Sequence, residues 1–494
     1  MSDQDSKKQI LKSTGLLGSV QLVNIIVGIV RVKFLAILLG PVGVGISGIY
    51  QTTISLISSV TGFGIGFSGV REIASAAATG DTYKIAKTYT TIYRWAWATG
   101  ILGAIIAILF ARPLSQFAFG DESYTWGIRI LSIGILTGAV ASAYSVLLQG
   151  LRRLGDMAKA NIIGSLAGLF SAVIIYFLFG LKGIVPALLA GFFINFLVFW
   201  FYADRVKKTS GVNMTYKQSA IEGMSMVRLG FFTVVSSFAL NGTLYIVRAF
   251  ILKQDDISAV GNFTAAWAIS TMYISAVLGA MGADFFPRLS GINSDNEAVK
   301  KLVNEQTEIA MLITAPIIIG MITTVDIIVR LFYSKQFEST GQILIWQITG
   351  DFFKILAWPM GYILLAKGKG SAFVATELSW CLLYFFGVFI LWDIVGLEST
   401  GIAFLVSYVF FLITLLLVTK RIAGFSWSFR VVKYFVFYSL LIVLAFLSSQ
   451  FFGGLIKYLT GGLFFLIASF FSLFQLRKVI DFKSIFQYLV KKRT

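Results

Sequence analysis

The sequence predicts an all-α polytopic membrane protein of about fourteen transmembrane helices, built as two six-helix lobes plus two extra C-terminal helices. Composition is the first reason. Of the 494 residues 57% are hydrophobic and only 13% are charged, and the mean hydropathy is +0.84. A soluble domain is roughly 45–50% apolar and about 25% charged. A chain this greasy cannot hide its surface from water, so lipid must be its solvent. Block length is the second reason, because the apolar residues come in runs of roughly twenty, enough for a helix to cross a ~30 Å hydrocarbon core. Barrel-type alternation is absent, which leaves helices as the spanning element. The third reason is an internal repeat.

Taken in order, the polar, mixed-charge segment 1–15 precedes an apolar run too long for a signal-peptide core, with no small-residue cleavage pattern after it, and reads as an uncleaved cytoplasmic tail. Spans follow at 16–39, 44–68, 90–111, 125–148, 161–180 and 183–202, which make a first lobe over 1–203. A polar linker at 204–224 leads to spans at 229–252, 258–283, 308–332, 341–365, 372–392 and 401–419, a second lobe over 225–421. The last two spans, 432–450 and 455–475 within 422–476, are rich in phenylalanine and almost free of charge, and a basic tail closes the chain at 477–494.

Lysine and arginine set the orientation. With the amino terminus inside, 29 of the 41 fall on the inner tails, loops and helix ends, most densely at 205–217, 420–433 and 477–493. The outer loops carry acids instead, among them Asp121, Glu122, Asp255, Asp256 and Asp393. By the positive-inside rule both termini are cytoplasmic, as expected of a multi-pass protein of a bacterial inner membrane. The same bias accounts for the net charge of +18 without nucleic acid, since these cations lie where an anionic inner leaflet and its lipids are expected.

The repeat has a fixed offset. Ile29-Val30-Arg31 is echoed by Ile246-Val247-Arg248, Arg71 by Arg288 and Leu147-Leu148 by Leu364-Leu365, each 217 residues on. The unit holds an even number of spans, so both copies enter the membrane in one orientation, the relation that suits two lobes rocking about a central cavity. The last two spans lie outside it.

Ionisable groups within such spans are expensive and mark function. The first span carries Asn24 and Arg31 seven residues apart on one helical face, with Lys33 two further on and so on another face. The seventh repeats the pattern with Asn241 and Arg248. These residues are candidates to bind a polar, anionic cargo; the bland alternative is that the long cations snorkel to the interface. In the tenth span Asp351 and Lys354 are three apart and share a face, and Glu377 lies just inside the eleventh. They are candidates for coupling or gating, with H+ or Na+ as the ion, or for a structural pin. Asp326 and Arg330, four apart, read as an interface anchor. Other chemistry is thinly represented: there is no histidine, Cys381 stands alone, no phosphate-binding glycine loop occurs, and no cofactor is expected.

Several stretches resemble a known family. Leu39-Gly40-Pro41-Val42-Gly43-Val44-Gly45, Phe285-Phe286-Pro287-Arg288-Leu289-Ser290 and, most specifically, Trp346-Gln347-Ile348-Thr349-Gly350-Asp351-Phe352-Phe353-Lys354 are similar to the polysaccharide-transport branch of the multidrug/oligosaccharidyl-lipid/polysaccharide exporter superfamily. Within it they resemble the Wzx-type flippases of O-antigen and enterobacterial common antigen, and the extra helix pair resembles that of peptidoglycan-lipid flippases. The resemblance implies a V-shaped two-lobed fold, alternating access without ATP, and an undecaprenyl-diphosphate-linked oligosaccharide as cargo in lipopolysaccharide or related polysaccharide biosynthesis. It also implies a polysaccharide polymerase and a chain-length regulator as partners. A multidrug exporter of the same fold would need acids for cationic drugs where the first and seventh spans offer cations. A glycosyltransferase or polymerase would need outer-loop acids, and the first outer loop, 40–43, has none; the chain is therefore not expected to be an enzyme.

Overall fold

In the computed structural model, which describes residues 3–206 and 214–479, every regular element among the described residues is helical. The first eight α-helices are α1 (Asp3–Thr61), α2 (Ile65–Ala78), α3 (Thr82–Leu109), α4 (Ala111–Phe119), α5 (Thr125–Gly150), α6 (Leu154–Phe179), α7 (Ile184–Asp204) and α8 (Tyr216–Gln254). The second eight are α9 (Ile257–Gly291), α10 (Asn296–Thr323), α11 (Val325–Phe332), α12 (Glu338–Ala366), α13 (Gly370–Val395), α14 (Ser399–Ala423), α15 (Phe429–Phe451) and α16 (Gly454–Val479). The centre of the expected linker, 207–213, and nearly all of the expected basic tail lie outside the described residues.

This is a multi-pass membrane protein. Nine stretches among the described residues are long and apolar enough to cross a bilayer. Three of them are too long for one crossing: Val20–Thr61 with 42 residues, Leu154–Asp204 with 51 and Gly370–Ala423 with 54. Each is broken inside, at Gly40, at the 3-10 turn Gly180–Gly183 and at the 3-10 turn Gly396–Glu398. Large apolar side chains such as Phe177, Ile394 and Phe470 are 76% exposed, as suits helices that are apolar all round and solvated by lipid.

Local chemistry sets where helices start and stop. Asp81 caps α3 by accepting from the amides of Tyr83 and Lys84, and Asp295 caps α10 in the same way. Thr215 and Gln218 form a reciprocal capping box that starts α8 well before the span expected at 229. The first outer loop, expected at 40–43, is instead a kink in α1. Gly40 takes φ 64°, where a side chain is strained, and Pro41 has no amide to continue the ladder. The span expected over 44–68 ends earlier, at Thr61, because Phe63 and Gly64 turn left-handed (φ 48° and 68°) before α2 begins. The span expected over 308–332 is likewise divided at Thr324 into α10 and α11.

The chain forms two compact units, Met1–Ala265 with Phe332–Phe337, and Ala266–Leu331 with Glu338–Thr494. In the first, α3, α5 and α7 pack in sequence, α1 lies on α6, and α8 packs on α1, α2, α3 and α4. Ile92, Tyr144, Leu147 and Phe199 are at its core. Packing of α8 on the preceding helices puts the contact boundary inside α9, whereas the change in composition falls at 204–224. In the second unit α12 lies between α10 and α14 and buries Ile348, Phe352, Ile355 and Leu356 to 1% exposure or less. The extra helices α15 and α16 pair with each other and rest on α10. There Gly461 makes room for Thr323, and Gly320 for the ring of Phe465.

Candidate functional site

The polar stripe of α1 turns into the first unit. Asn24 accepts a hydrogen bond from the Ser165 hydroxyl of α6 at 2.9 Å. Seven residues on, the Arg31 guanidinium lies against Gly191 of α7, 3.7 Å from where a methyl group would sit, and within electrostatic reach of the Tyr176 hydroxyl on α6. Lys33 points elsewhere and donates to the carbonyl of Tyr333. The equivalent stripe of α8 has other neighbours. Asn241 donates to Ser237 of its own helix at 2.9 Å. Arg248 is 5% exposed, donates to the Thr264 hydroxyl at 3.3 Å and lies 5.2 Å from the Phe263 ring, both near the start of α9. Arg31 and Arg248 therefore have separate partners: α6 and α7 for one, α9 for the other.

In the second unit α12 carries the charges. Asp351 is fully buried, and one carboxylate oxygen accepts from Ser270 at 2.8 Å and from Tyr273 at 2.7 Å, neighbours on one face of α9. Lys354 reaches the other way, its ammonium 5.8 Å from the Phe404 ring and 5.4 Å from the Tyr408 ring of α14. Each charge feels the other, and Lys354 also feels Glu377 of α13. The expected i,i+3 pair is thus a through-space couple, each member held by a different helix. Gln347 was not singled out from the sequence, although it lies four residues before Asp351 on the same face. It is wholly buried, and among the described residues neither its amide oxygen nor its amide nitrogen finds a hydrogen-bond partner; the same holds for the second oxygen of Asp351. Each such group costs roughly 1–3 kcal/mol unless something meets it.

Two further features come from packing. A cavity of about 470 Å³ lies in the first unit, lined by the ends of α1 and α2 with α3, α5, α7 and α8. Gly62, Gly64, Ile65 and Gly66 line it, and these closely spaced glycines are the signal the sequence offers. Gly64 touches Gly230 of α8 so closely that a methyl group on it would lie 2.6 Å from the Gly230 Cα. The second feature is an apolar groove of about 500 Å³ on α15 and α16, bounded by Phe437, Leu466, Phe470 and Phe474. Next to these helices Lys457, almost wholly buried, pairs with Asp326 of α11 at 2.6 Å. Asp326 is thereby tied to α16.

The family model described as polysaccharide biosynthesis protein matches residues 34–341, more than half of the sequence. The chain belongs to the polysaccharide biosynthesis protein family. A curated relative, the Lipid III flippase of Escherichia coli (strain K12), is 24% identical over 365 residues, covering 72% of this chain and 85% of the relative. Among solved structures, an inward-facing multidrug resistance MATE transporter of the MOP superfamily superposes with a TM-score of 0.68 at 18% identity, over 82% of this chain and 98% of that one. The inward closed form of the Lipid II flippase MurJ gives 0.61 at 16% identity, over 95% of this chain and 100% of its own. This family member has the fold of those two solved structures.

Proposed function

We propose that this chain flips an undecaprenyl-diphosphate-linked oligosaccharide from the cytoplasmic to the periplasmic leaflet of a bacterial inner membrane by alternating access. The observation that carries the reading is the direction of the α1 stripe: Asn24 and Arg31 meet Ser165, Gly191 and Tyr176 inside the first unit. A membrane cation that points inward, not to lipid, suits an anionic cargo, and a low-dielectric surrounding strengthens its pull on a diphosphate. Membership of a polysaccharide biosynthesis family and similarity to a Lipid III flippase support the same cargo class. The groove on α15 and α16 suits a polyprenyl tail, because its lining is almost wholly apolar.

In this reading the three long stretches each cross twice and α9 and α12 add one crossing each, which gives fourteen with both termini cytoplasmic. The buried pair Asp351 and Gln347, with Lys354 and Glu377 nearby, couples transport to H+ or Na+. Its unsatisfied oxygens support an occupant that donates or carries positive charge. A polymerase and a chain-length regulator acting on the exported repeat unit are the expected partners.

The test is complementation of a flippase-deficient strain, with surface polysaccharide measured against protein level in the membrane. A charge-assisted phosphate contact contributes about 1.5–3 kcal/mol. Arg31→Ala should therefore weaken cargo capture roughly 10- to 150-fold, whereas Arg31→Lys keeps a point charge and part of the activity. Arg248→Ala tests the second repeat. Wild-type polysaccharide from normally inserted Arg31→Ala and Arg248→Ala proteins would overturn the diphosphate assignment.

A further inference from the structure

The cavity of the first unit is unlike the charged sites. Its volume, about 470 Å³, falls in the roughly 300–1,000 Å³ range of small-molecule pockets. Among the described residues that line it, none is charged. It is hydroxyl-rich instead, with Ser58, Ser59, Thr61, Thr99, Ser142, Thr233 and Ser237, and four of the seven share a habit. Ser59 donates to the Leu56 carbonyl at 2.7 Å, Thr61 to Ile57 at 3.0 Å, Thr99 to Ala96 at 3.3 Å and Thr233 to Gly230 at 2.7 Å. A hydroxyl has one proton. With that proton given to its own helix, each retains only acceptor lone pairs for a ligand.

An occupant therefore donates hydrogen bonds to these four and can accept them from Ser58, Ser142 and Ser237. An anion would meet no cation and a cation no counter-charge, so the loss of water disfavours both. A neutral polyol fits. The Phe192 ring on one wall offers a flat apolar face for the C–H side of a sugar ring. Space exists because side chains are missing: a methyl group on Gly138 would reach only to 3.5 Å from Phe192, and one on Gly66 to 3.5 Å from the Ser142 hydroxyl.

We propose that this cavity binds the uncharged saccharide part of the cargo, apart from the residues that meet its diphosphate. The inference rests on the flippase reading, and the experiment separates the two. Full-length protein in nanodiscs is exposed to a photoreactive neutral disaccharide glycoside, with unlabelled disaccharide or sugar-free polyprenyl diphosphate as competitor, and the labelled peptides are mapped. Labelling is expected on α5 around Ser142 and on α8 around Ser237, competed by the disaccharide and not by the diphosphate. Ser142→Leu, which fills the space, should reduce it more than 10-fold. Ser142→Ala, which only removes a hydroxyl, should weaken competition roughly 2- to 13-fold and guards against misfolding of the larger variant. Labelling that survives Ser142→Leu, falls elsewhere, or is competed by the diphosphate overturns the sugar site. The same wild-type protein is then assayed in proteoliposomes for movement of a polyprenyl-linked disaccharide. Labelling in the cavity without transport removes the flippase reading and leaves the sugar site; transport without labelling does the reverse.

Discussion

Replacing Asp351 by asparagine separates charge from shape at the most deeply buried ionisable group of the second unit. The amide is isosteric, so the hydroxyls of Ser270 and Tyr273, at 2.8 and 2.7 Å, can still donate to its oxygen. Hydrogen bonds to a charged acceptor contribute about 1.5–3 kcal/mol against about 0.5–1.5 for neutral ones, so two such bonds lose about 2–3 kcal/mol. Against that, the cost of holding a carboxylate out of water, several kcal/mol, is removed. Lys354 is not stranded, since it rests over Phe404 and Tyr408 and also feels Glu377. The opposing terms are of similar size, so Asp351→Asn should insert and unfold within about 5 °C of wild type. Flipping, read as protection of a labelled lipid-linked sugar in proteoliposomes, should fall at least about 100-fold, equivalent to roughly 2.7 kcal/mol of barrier. The double variant with Lys354→Gln should stay equally inactive. Wild-type flux from Asp351→Asn, or restored flux in the double variant, would refute a coupling role and leave a structural pin.

Orientation is testable in a Cys381→Ser background: single cysteines beside Asp121 or Asp393 should react with an impermeant reagent from outside, and those beside Lys217 only after permeabilisation, the reverse pattern rejecting the topology. Asp326→Ala should destabilise the protein by roughly 1–3 kcal/mol and more than Lys457→Met, because it leaves an almost wholly buried ammonium without its carboxylate, which is itself half exposed. Equal melting temperatures would reject that asymmetry. Gly64→Ala combines a left-handed backbone with a methyl group 2.6 Å from Gly230, and about 2–5 kcal/mol of strain and overpacking should lower its melting temperature. An unchanged melting temperature would show that the 62–64 turn relaxes freely.

Much of the fold was legible in the residues. Block length and hydropathy predicted an all-helical membrane protein, because in lipid a spanning backbone must satisfy its own hydrogen bonds and helix is the local way to do so. Periodicity also put Asn24 and Arg31 on one face, and the structure turns both toward α6 and α7. The same rule put Asp351 and Lys354 together on α12, yet could not say that one would turn to α9 and the other to α14. Those partners lie some 80 and 50 residues away in the chain, and a helical face says where a side chain leaves its helix but not what it meets. Span ends failed where a few residues decide: Gly40 with Pro41 kinked a helix, and Phe63 with Gly64 ended one. Hence the sequence by itself determined the solvent, the helices and the polar faces, all of which depend on composition and spacing along one helix. Tertiary structure alone decided the partners of Arg31, Arg248 and Asp351, the orphan amide of Gln347 and the hydroxyl-lined cavity, because each arises where helices distant in sequence pack and leave, or fill, the space between them.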